Sequence, residues 1–169
     1  MNLSVQIQPA NNGSQRVAIG GRLDTHSYQE LDRQLAPLLA SSIHSLVLDL
    51  ANLEYISSAG VRSVFKARKA LAARGGRVLV AHPQPQIQKV FDVVKAVPLD
   101  EIFSSMEEAD AYLDAMHDMF AHTDTRWAPW EVIDGNNKKA ARIAALSHVA
   151  ATLEAAVPMT PPDRDPAVV

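Results

Sequence analysis

Two adjacent serines, Ser57 and Ser58, are the residues of this chain whose position is best suited to chemistry. They follow the stretch LVLDLANLEYI and precede Ala59 and Gly60. The continuous apolar run is typical of a central strand covered on both faces, and the residues after the serines predict the start of a helix. Proteins often bind partners and ligands at such junctions, because loops cluster there and the first amides of the helix point outward without a hydrogen-bond partner.

A serine at this junction has several possible roles. It can cap the helix, by accepting a hydrogen bond from an amide two or three residues on, and position alone favours this role. It can accept a phosphoryl group, because the helix dipole and the free amides favour the added negative charge. Hydrolysis is disfavoured, since a nucleophile elbow needs glycine where Ile56 precedes Ser58. His82 and Asp49 would complete a triad only by coincidence of folding.

The helix after the serines is basic and carries no carboxylate between its first and last cations. Its basic residues are Arg62, Lys66, Arg68, Lys69 and Arg74. Arg62, Lys66 and Lys69 lie at i, i+4 and i+7, so they should share one exposed face. Such a run is usually a solvated surface. The functional alternative is a docking stripe for an acidic patch on a partner, which would act through association rate and specificity.

The elements that position these residues follow from hydrophobic periodicity. Alternation in LSVQIQP and RVAIGGRL predicts an N-terminal hairpin, and Asp24 then offers side-chain oxygens to the amides of a helix. Three- and four-residue spacing predicts the later helices, and apolar runs predict the later strands. The order is β-β-α-β-α-β-α-β-α over about residues 1–117. Strands separated by helices imply crossovers and a largely parallel interior, so the predicted class is α/β.

Composition limits the classes of function. The 169 residues, 47% of them hydrophobic and 21% charged, suit a globular domain with an appendage. A net charge of −3 gives no general reason to bind nucleic acid. The chain has no cysteine, which excludes disulfides and thiolate sites, and we expect neither a metal nor a cofactor. The sequence shows no secretory signal and no apolar run long enough for a membrane span, so we expect a cytoplasmic protein without membrane contact.

Three stretches of the chain share their order and their residues with a known family. They are GRLDTHSYQEL, LVLDLANLEYISSAGVRSVFKARKAL and GGRVLVAHPQPQIQKVFDVVKAVPLDEIF, and their core is the pattern D-L-x-x-L-x-Y-I-x-S-x-G. Together they resemble STAS domains of the anti-sigma factor antagonist type, over roughly residues 1–117. The resemblance implies a layered domain in which helices flank a mixed sheet that is mainly parallel inside.

The resemblance also implies a function. In that family, a partner anti-sigma factor with serine kinase activity phosphorylates the serine that corresponds to Ser58. Only the unphosphorylated family member then sequesters the partner and frees the sigma factor. Many regulated members have aspartate where Ser57 stands and serine or threonine where Ala59 stands. Asp24 matches a position near the partner surface, with a helix cap as the alternative. The expected partner-binding residues are Asp24, Ser57, Ala59, Gly60, Arg62, Lys66 and Lys69.

The segment 118–157 is not needed by a STAS domain. DGNN predicts a turn and a helix start, after which an apolar seam recurs at three- and four-residue spacing. We expect this helix to lie against the sheet or against a second copy of the chain, which would make a homodimer. Residues 158–169 are rich in proline and are predicted to be disordered. The seam consists of Ile143, Leu146, Ala150, Leu153 and Val157.

By sequence, TDTRWAPWEVIDGNNKKAARIAALSHV resembles the closing segment of class-two polyphosphate kinases, which carry A-P-W before a helix with lysine and arginine. Such kinases need a phosphate-binding loop, and no G-x-x-x-x-G-K-[ST] occurs in this chain, so we expect no enzyme. Lys138, Lys139 and Arg142 could bind a polyanion. Two alternatives to the switched antagonist therefore stay open: an accessory protein of polyphosphate or nucleotide metabolism, and a STAS adaptor that is never phosphorylated.

Overall fold

The computed structural model describes residues 2–8, 13–133, 135 and 137–156. The chain divides into two compact units, Met1–Trp130 and Glu131–Val169. In the first unit the elements are β1 (Ser4–Gln8), β2 (Ser14–Leu23), α1 (Tyr28–Ala40), β3 (Ser45–Asp49), β4 (Leu53–Ile56), α2 (Ser58–Ala72), β5 (Arg77–Ala81), α3 (Pro85–Val94), a 3-10 turn (Leu99–Glu101), β6 (Ile102–Phe103) and α4 (Met106–Thr123). The second unit contains α5 (Lys138–Ala156).

The first unit is built on one mixed sheet with the strand order β1-β2-β3-β5-β6. β1 pairs with β2 as the predicted antiparallel hairpin, whereas β2, β3, β5 and β6 pair in parallel. The parallel pairs are joined through helices, as crossover connections require. The predicted α/β class and the mainly parallel interior of the sheet are therefore confirmed.

The core lies on both faces of this sheet. Alternate residues of a strand point to opposite faces, so Leu46 and Leu48 of β3 join one apolar cluster and Val47 joins another. The larger cluster packs α1, α2 and α3 against the sheet, and the smaller one packs α4 against the opposite face. These two layers hold the central strands fully covered, as their continuous apolar sequences predict.

One strand was not predicted. β3 ends at Asp49, and the chain turns before β4 pairs in parallel with the last residues of β2. The expectation that the central strand leads directly to the serines is therefore wrong, because the short strand β4 delivers them. The register shifts between Gly21 and Arg22, and Gly21 has a φ of +77°, a conformation that favours glycine. This irregularity lets β2 leave β3 and take β4 as its neighbour.

α4 continues past the boundary that the sequence suggested at residue 117. Ser105 followed by Glu107 and Glu108 predicts a helix start with a serine cap and an acidic first turn. The helix begins after Ser105, whose hydroxyl accepts a hydrogen bond from the Glu108 amide at 3.2 Å, so this cap is confirmed. After α4 ends at Thr123, Trp130 returns to it. The Trp130 indole N–H donates to Thr123 Oγ1 at 2.7 Å, and its ring meets that of Phe120 edge-on at 6.0 Å. The A-P-W motif is thus packed on α4 and belongs to the first unit.

α5 is the predicted C-terminal helix. Asn137 lies before it, and its side-chain oxygen accepts hydrogen bonds from the Lys139 and Ala140 amides. No described residue of α5 is buried, and Ile143 and Leu146 of the predicted seam are exposed. Cover for this seam, by the sheet or by a second copy of the chain, stays a prediction. Val157 and the predicted disordered tail, 158–169, lie outside the described residues.

Candidate functional site

The start of α2 is fixed by the strands beside it. The Ser57 amide donates to the Leu23 carbonyl at 2.8 Å, which ties the junction to the end of β2. The Ser57 hydroxyl accepts a hydrogen bond from the Gly60 amide at 3.3 Å, so Ser57 is the helix cap. Of the two serines, Ser57 therefore has the structural role, and Ser58 is left as the first residue of the helix.

Ser58 is exposed at the leading end of α2. Within the described part of the chain, its hydroxyl takes part in no hydrogen bond. His82 and Asp49 do pair, with 3.2 Å between Nδ1 and Oδ1, but neither is hydrogen-bonded to Ser58. The three residues form no hydrogen-bonded triad. An exposed hydroxyl at a helix N-terminus is instead well placed to receive a charged group, because the helix dipole favours negative charge there.

Asp24 lies directly after Leu23, beside the same junction. Its carboxylate accepts hydrogen bonds from the His26 amide at 2.9 Å and the Ser27 amide at 3.3 Å. These bonds, that from His26 first, hold the pKa of Asp24 below its usual value, although desolvation opposes them. Asp24 thus fixes the turn that leads into α1. The cap position of α1 itself is Ser27, so the interpretation of Asp24 as the helix cap is wrong. Its role in partner binding stays a prediction.

Ala59 and Gly60 complete the turn from the serines into α2. Ala59 is half-buried and Gly60 is buried. A Cβ atom added to Gly60 would lie 2.6 Å from Leu23 Cγ and 2.9 Å from the Leu23 carbonyl oxygen. Gly60 therefore sets how closely α2 approaches β2. The contact of Ala59 and Gly60 with a partner stays a prediction.

The three predicted cations of the docking stripe are all exposed on α2. Lys66 is not free, because its ammonium forms an ion pair with Asp32 of α1 at 2.8 Å. Among the described residues, Arg62 and Lys69 have no ion-pair or hydrogen-bond partner for their charged groups. The structure therefore leaves two available cations on the stripe, where the sequence predicted three.

An apolar groove that the sequence did not predict runs beside these cations. Phe65 recurs with Val61 and Val64 at helical spacing, and Val94 recurs in the same way with Phe91, which predicts that both lie on the buried faces of their helices. They are 47% and 50% exposed, so that placement is wrong. Both line an open groove of about 770 Å³ along α2, whose walls also include Ser58, Arg62 and Lys69. A signal was present, because at about 100° per residue Phe65 projects well away from the centre of the stripe formed by the buried residues of α2.

The second unit carries the predicted polyanion residues. Lys138, Lys139 and Arg142 are exposed over the first turns of α5. In the described ranges there is no cluster of histidine, aspartate and glutamate that could hold a metal ion. No helix within those ranges has the length and apolar character needed to cross a membrane.

The sequence family was established by comparison with known proteins. The family model for the STAS domain matches residues 8–109, more than half of the chain. The chain belongs to the STAS domain family. A second family model, polyphosphate kinase 2 (PPK2), matches residues 88–161 and so begins inside α3 of the STAS domain. The STAS match contains the whole junction from β4 into α2.

Individual relatives agree with the STAS assignment. A Bordetella bronchiseptica protein described as an anti-sigma factor antagonist, BtrV, is 30% identical over 91 residues, which are 54% of this chain and 78% of BtrV. The solved structure of the Bacillus anti-sigma factor antagonist SpoIIAA in its unphosphorylated form has a TM-score of 0.59 at 19% identity, covering 66% of this chain and 97% of SpoIIAA. At that identity the likeness concerns the fold.

The C-terminal part has relatives of another kind. The polyphosphate:AMP phosphotransferase of Acinetobacter johnsonii is 45% identical over 56 residues, which are 33% of this chain. Those residues are 12% of the phosphotransferase, so the chain spans a small part of that enzyme. This chain therefore contains a short segment that is similar to part of a phosphotransferase, and most of that enzyme's length has no matching residues in the chain.

Proposed function

We propose that this chain is a non-catalytic anti-sigma factor antagonist, whose α2 face binds an anti-sigma factor with serine kinase activity. The exposed, unbonded hydroxyl of Ser58 at the start of α2 is the observation that carries the proposal. Membership of the STAS family and the names of BtrV and SpoIIAA support the class of partner. The antagonist acts by binding, and the reaction at Ser58 is the partner's.

In the proposed reaction the partner transfers the γ-phosphoryl group of ATP to Ser58. The bond between the γ-phosphorus and the bridging oxygen of ADP breaks, an ester bond forms between that phosphorus and Ser58 Oγ, and the hydroxyl proton leaves to a base of the partner. The product adds a charge of about −1.5 to −2 at neutral pH. The domain tolerates this charge because it lies at a helix N-terminus, whereas a partner surface fitted to the neutral hydroxyl does not.

The phosphoacceptor is tested by incubating the protein with ATP and candidate anti-sigma kinases and locating phosphate by mass spectrometry. We expect phosphate on Ser58 and none on Ser58→Ala. Ser57→Ala is the matched control: it should keep the phosphate but lose about 1 kcal/mol of stability, because it removes the cap. Phosphate that persists in Ser58→Ala contradicts Ser58 as the acceptor. Absence of phosphate from the wild type contradicts the switch and favours an adaptor that is never phosphorylated.

A second candidate function rests on the C-terminal segment. Its 45% identity to a phosphotransferase and the exposed cations Lys138, Lys139 and Arg142 support binding of a polyanion such as polyphosphate, within polyphosphate or nucleotide metabolism. This candidate is compatible with a non-catalytic chain, since binding needs cations and no phosphate-binding loop. It adds to the antagonist and does not replace it.

Polyphosphate binding is tested by titrating labelled polyphosphate at several salt concentrations. We expect changing Lys138, Lys139 and Arg142 together to glutamine to weaken binding at least tenfold and to flatten its salt dependence. The control changes three exposed cations of the first unit, Arg62, Lys69 and Lys89, to glutamine and removes the same charge. Equal losses in the two variants would mean non-specific attraction, and this candidate would then be dropped.

A further inference from the structure

The exposed face of α2 places the phosphoacceptor and the two available cations in one row. Ser58, Arg62, Phe65 and Lys69 follow one another at spacings of four, three and four residues, which puts them on the same side of a helix. All four line the same groove, and Val94 of α3 joins them. We call Ser58, Arg62, Phe65, Lys69 and Val94 the α2 docking face.

The charges of this face are set by ion pairs elsewhere on α2. Lys66 is engaged by Asp32 at 2.8 Å, and the guanidinium of Arg68, largely buried, lies 3.9 Å from the carboxylate of Glu101. Within the described ranges, Arg62 and Lys69 are the cations of α2 that remain available to a partner. They are seven residues apart, about 10 Å along the helix axis, with Phe65 between them.

This arrangement fits a partner segment of defined chemistry. An apolar side chain would occupy the groove against Phe65 and Val94, and carboxylates on either side of it would pair with Arg62 and Lys69. The apolar contact supplies affinity, and the charge pairs supply orientation and association rate. A basic segment would instead meet two unpaired cations, so charge complementarity selects an acidic amphipathic segment.

We propose that Arg62 couples phosphorylation of Ser58 to release of the partner. Before modification its guanidinium binds a carboxylate of the acidic partner segment, and after modification it binds the phosphate on Ser58 instead. This inference rests on the proposed function, because it deepens the regulation of the same site. Phosphorylation then weakens the complex in two ways. The phosphate competes with a partner carboxylate for Arg62, and the new charge repels the acidic partner segment.

The helix geometry makes Arg62 the suited competitor. Residues at i and i+4 have Cβ atoms roughly 5–6 Å apart, within reach of a guanidinium and a phosphate, and the planar guanidinium can bind two phosphate oxygens at once. Lys69 lies about 16 Å from Ser58 along the axis, which is beyond contact. Phosphorylation would thus remove one of the two charge pairs and leave the other in place.

The first test needs no partner. Phosphoserine is installed at position 58 of the full chain by genetic encoding, and the second ionisation of the phosphate is followed by ³¹P NMR titration. We expect the phosphate pKa to rise by ~0.5–1 in Arg62→Gln, because a neighbouring cation favours the dianion. Lys69→Gln is the matched control and should leave that pKa unchanged. Equal values in Arg62→Gln and in the parent chain would overturn the inference.

The second test measures the competition itself. The affinity of the kinase identified by the phosphorylation assay is compared for unmodified and phosphorylated chains, each with and without Arg62→Gln. We expect Arg62→Gln to weaken the unmodified complex about tenfold and to reduce the effect of phosphorylation by a similar factor. Independent, additive effects would overturn the competition. If no kinase acts on Ser58, the proposed function fails while the NMR test still decides the Arg62 contact, so the two failures are distinguishable.

Discussion

Replacing Phe91 with alanine is expected to lower the free energy of unfolding of the STAS domain by about 3–5 kcal/mol. Phe91 is fully buried in α3 and belongs to the larger apolar cluster between the helices and the sheet. Removing its ring loses the transfer free energy of the aromatic group and leaves a cavity that the packed strands cannot fill by relaxation. Urea denaturation followed by circular dichroism measures the loss.

The matched control is the same substitution at Phe65. This ring is 47% exposed in the groove of the α2 docking face, so its removal creates no closed cavity, and we expect a loss below about 1 kcal/mol. The order is reversed for partner binding. Phe65→Ala should weaken the partner complex, because Phe65 lies in the docking face, whereas Phe91→Ala removes no residue of that face. Similar losses of stability in both variants would contradict the placement of one ring in the core and the other on the surface.

The order of the main elements was predictable because their patterns are local. Strict alternation identified the N-terminal hairpin, and continuous apolar runs identified β3 and β5, since a strand covered on both faces needs no polar side. The Ser105 cap and the acidic first turn identified the start of α4. Each of these signals is contained within one element and does not depend on what packs against it.

β4 could not be predicted in the same way. Its four residues alternate poorly, because Leu53 and Ile56 are buried while Glu54 and Tyr55 between them are exposed. The strand forms because β2 extends beyond its pairing with β3, and the backbone groups of its last residues then pair with β4. That is a property of the sheet, and no single stretch of sequence contains it.

The candidate site was partly predictable for a related reason. The junction around Ser58 follows from the strand-to-helix transition, which is local. The number of available cations depends on the pairing of Lys66 with Asp32, which lies on another helix. The exposure of Val94 likewise depends on how α3 meets α2. Long-range contacts therefore decided which residues of the docking stripe could meet a partner.

Replacing Gly60 with alanine is expected to lower the free energy of unfolding by about 1–3 kcal/mol, the usual cost of overpacking. The new methyl group would lie 2.6 Å from Leu23 Cγ and 2.9 Å from the Leu23 carbonyl oxygen. The Leu23 side chain can rotate, but that carbonyl is held as the acceptor of the Ser57 amide at 2.8 Å. The methyl group can therefore be accommodated only if α2 moves away from β2, which displaces the helix start that presents Ser58.

Gly135→Ala is the control for the substitution itself, because a Cβ atom there meets nothing within 4 Å, and its stability should stay within about 0.5 kcal/mol of the parent. Gly60→Ala should in addition slow phosphorylation of Ser58 under conditions where the chain is still folded, since the acceptor shifts with the helix. If Gly60→Ala is as stable as Gly135→Ala and is phosphorylated at the parental rate, the close approach of α2 to β2 does not position the acceptor. The site would then depend on Ser58 and its row of neighbours alone.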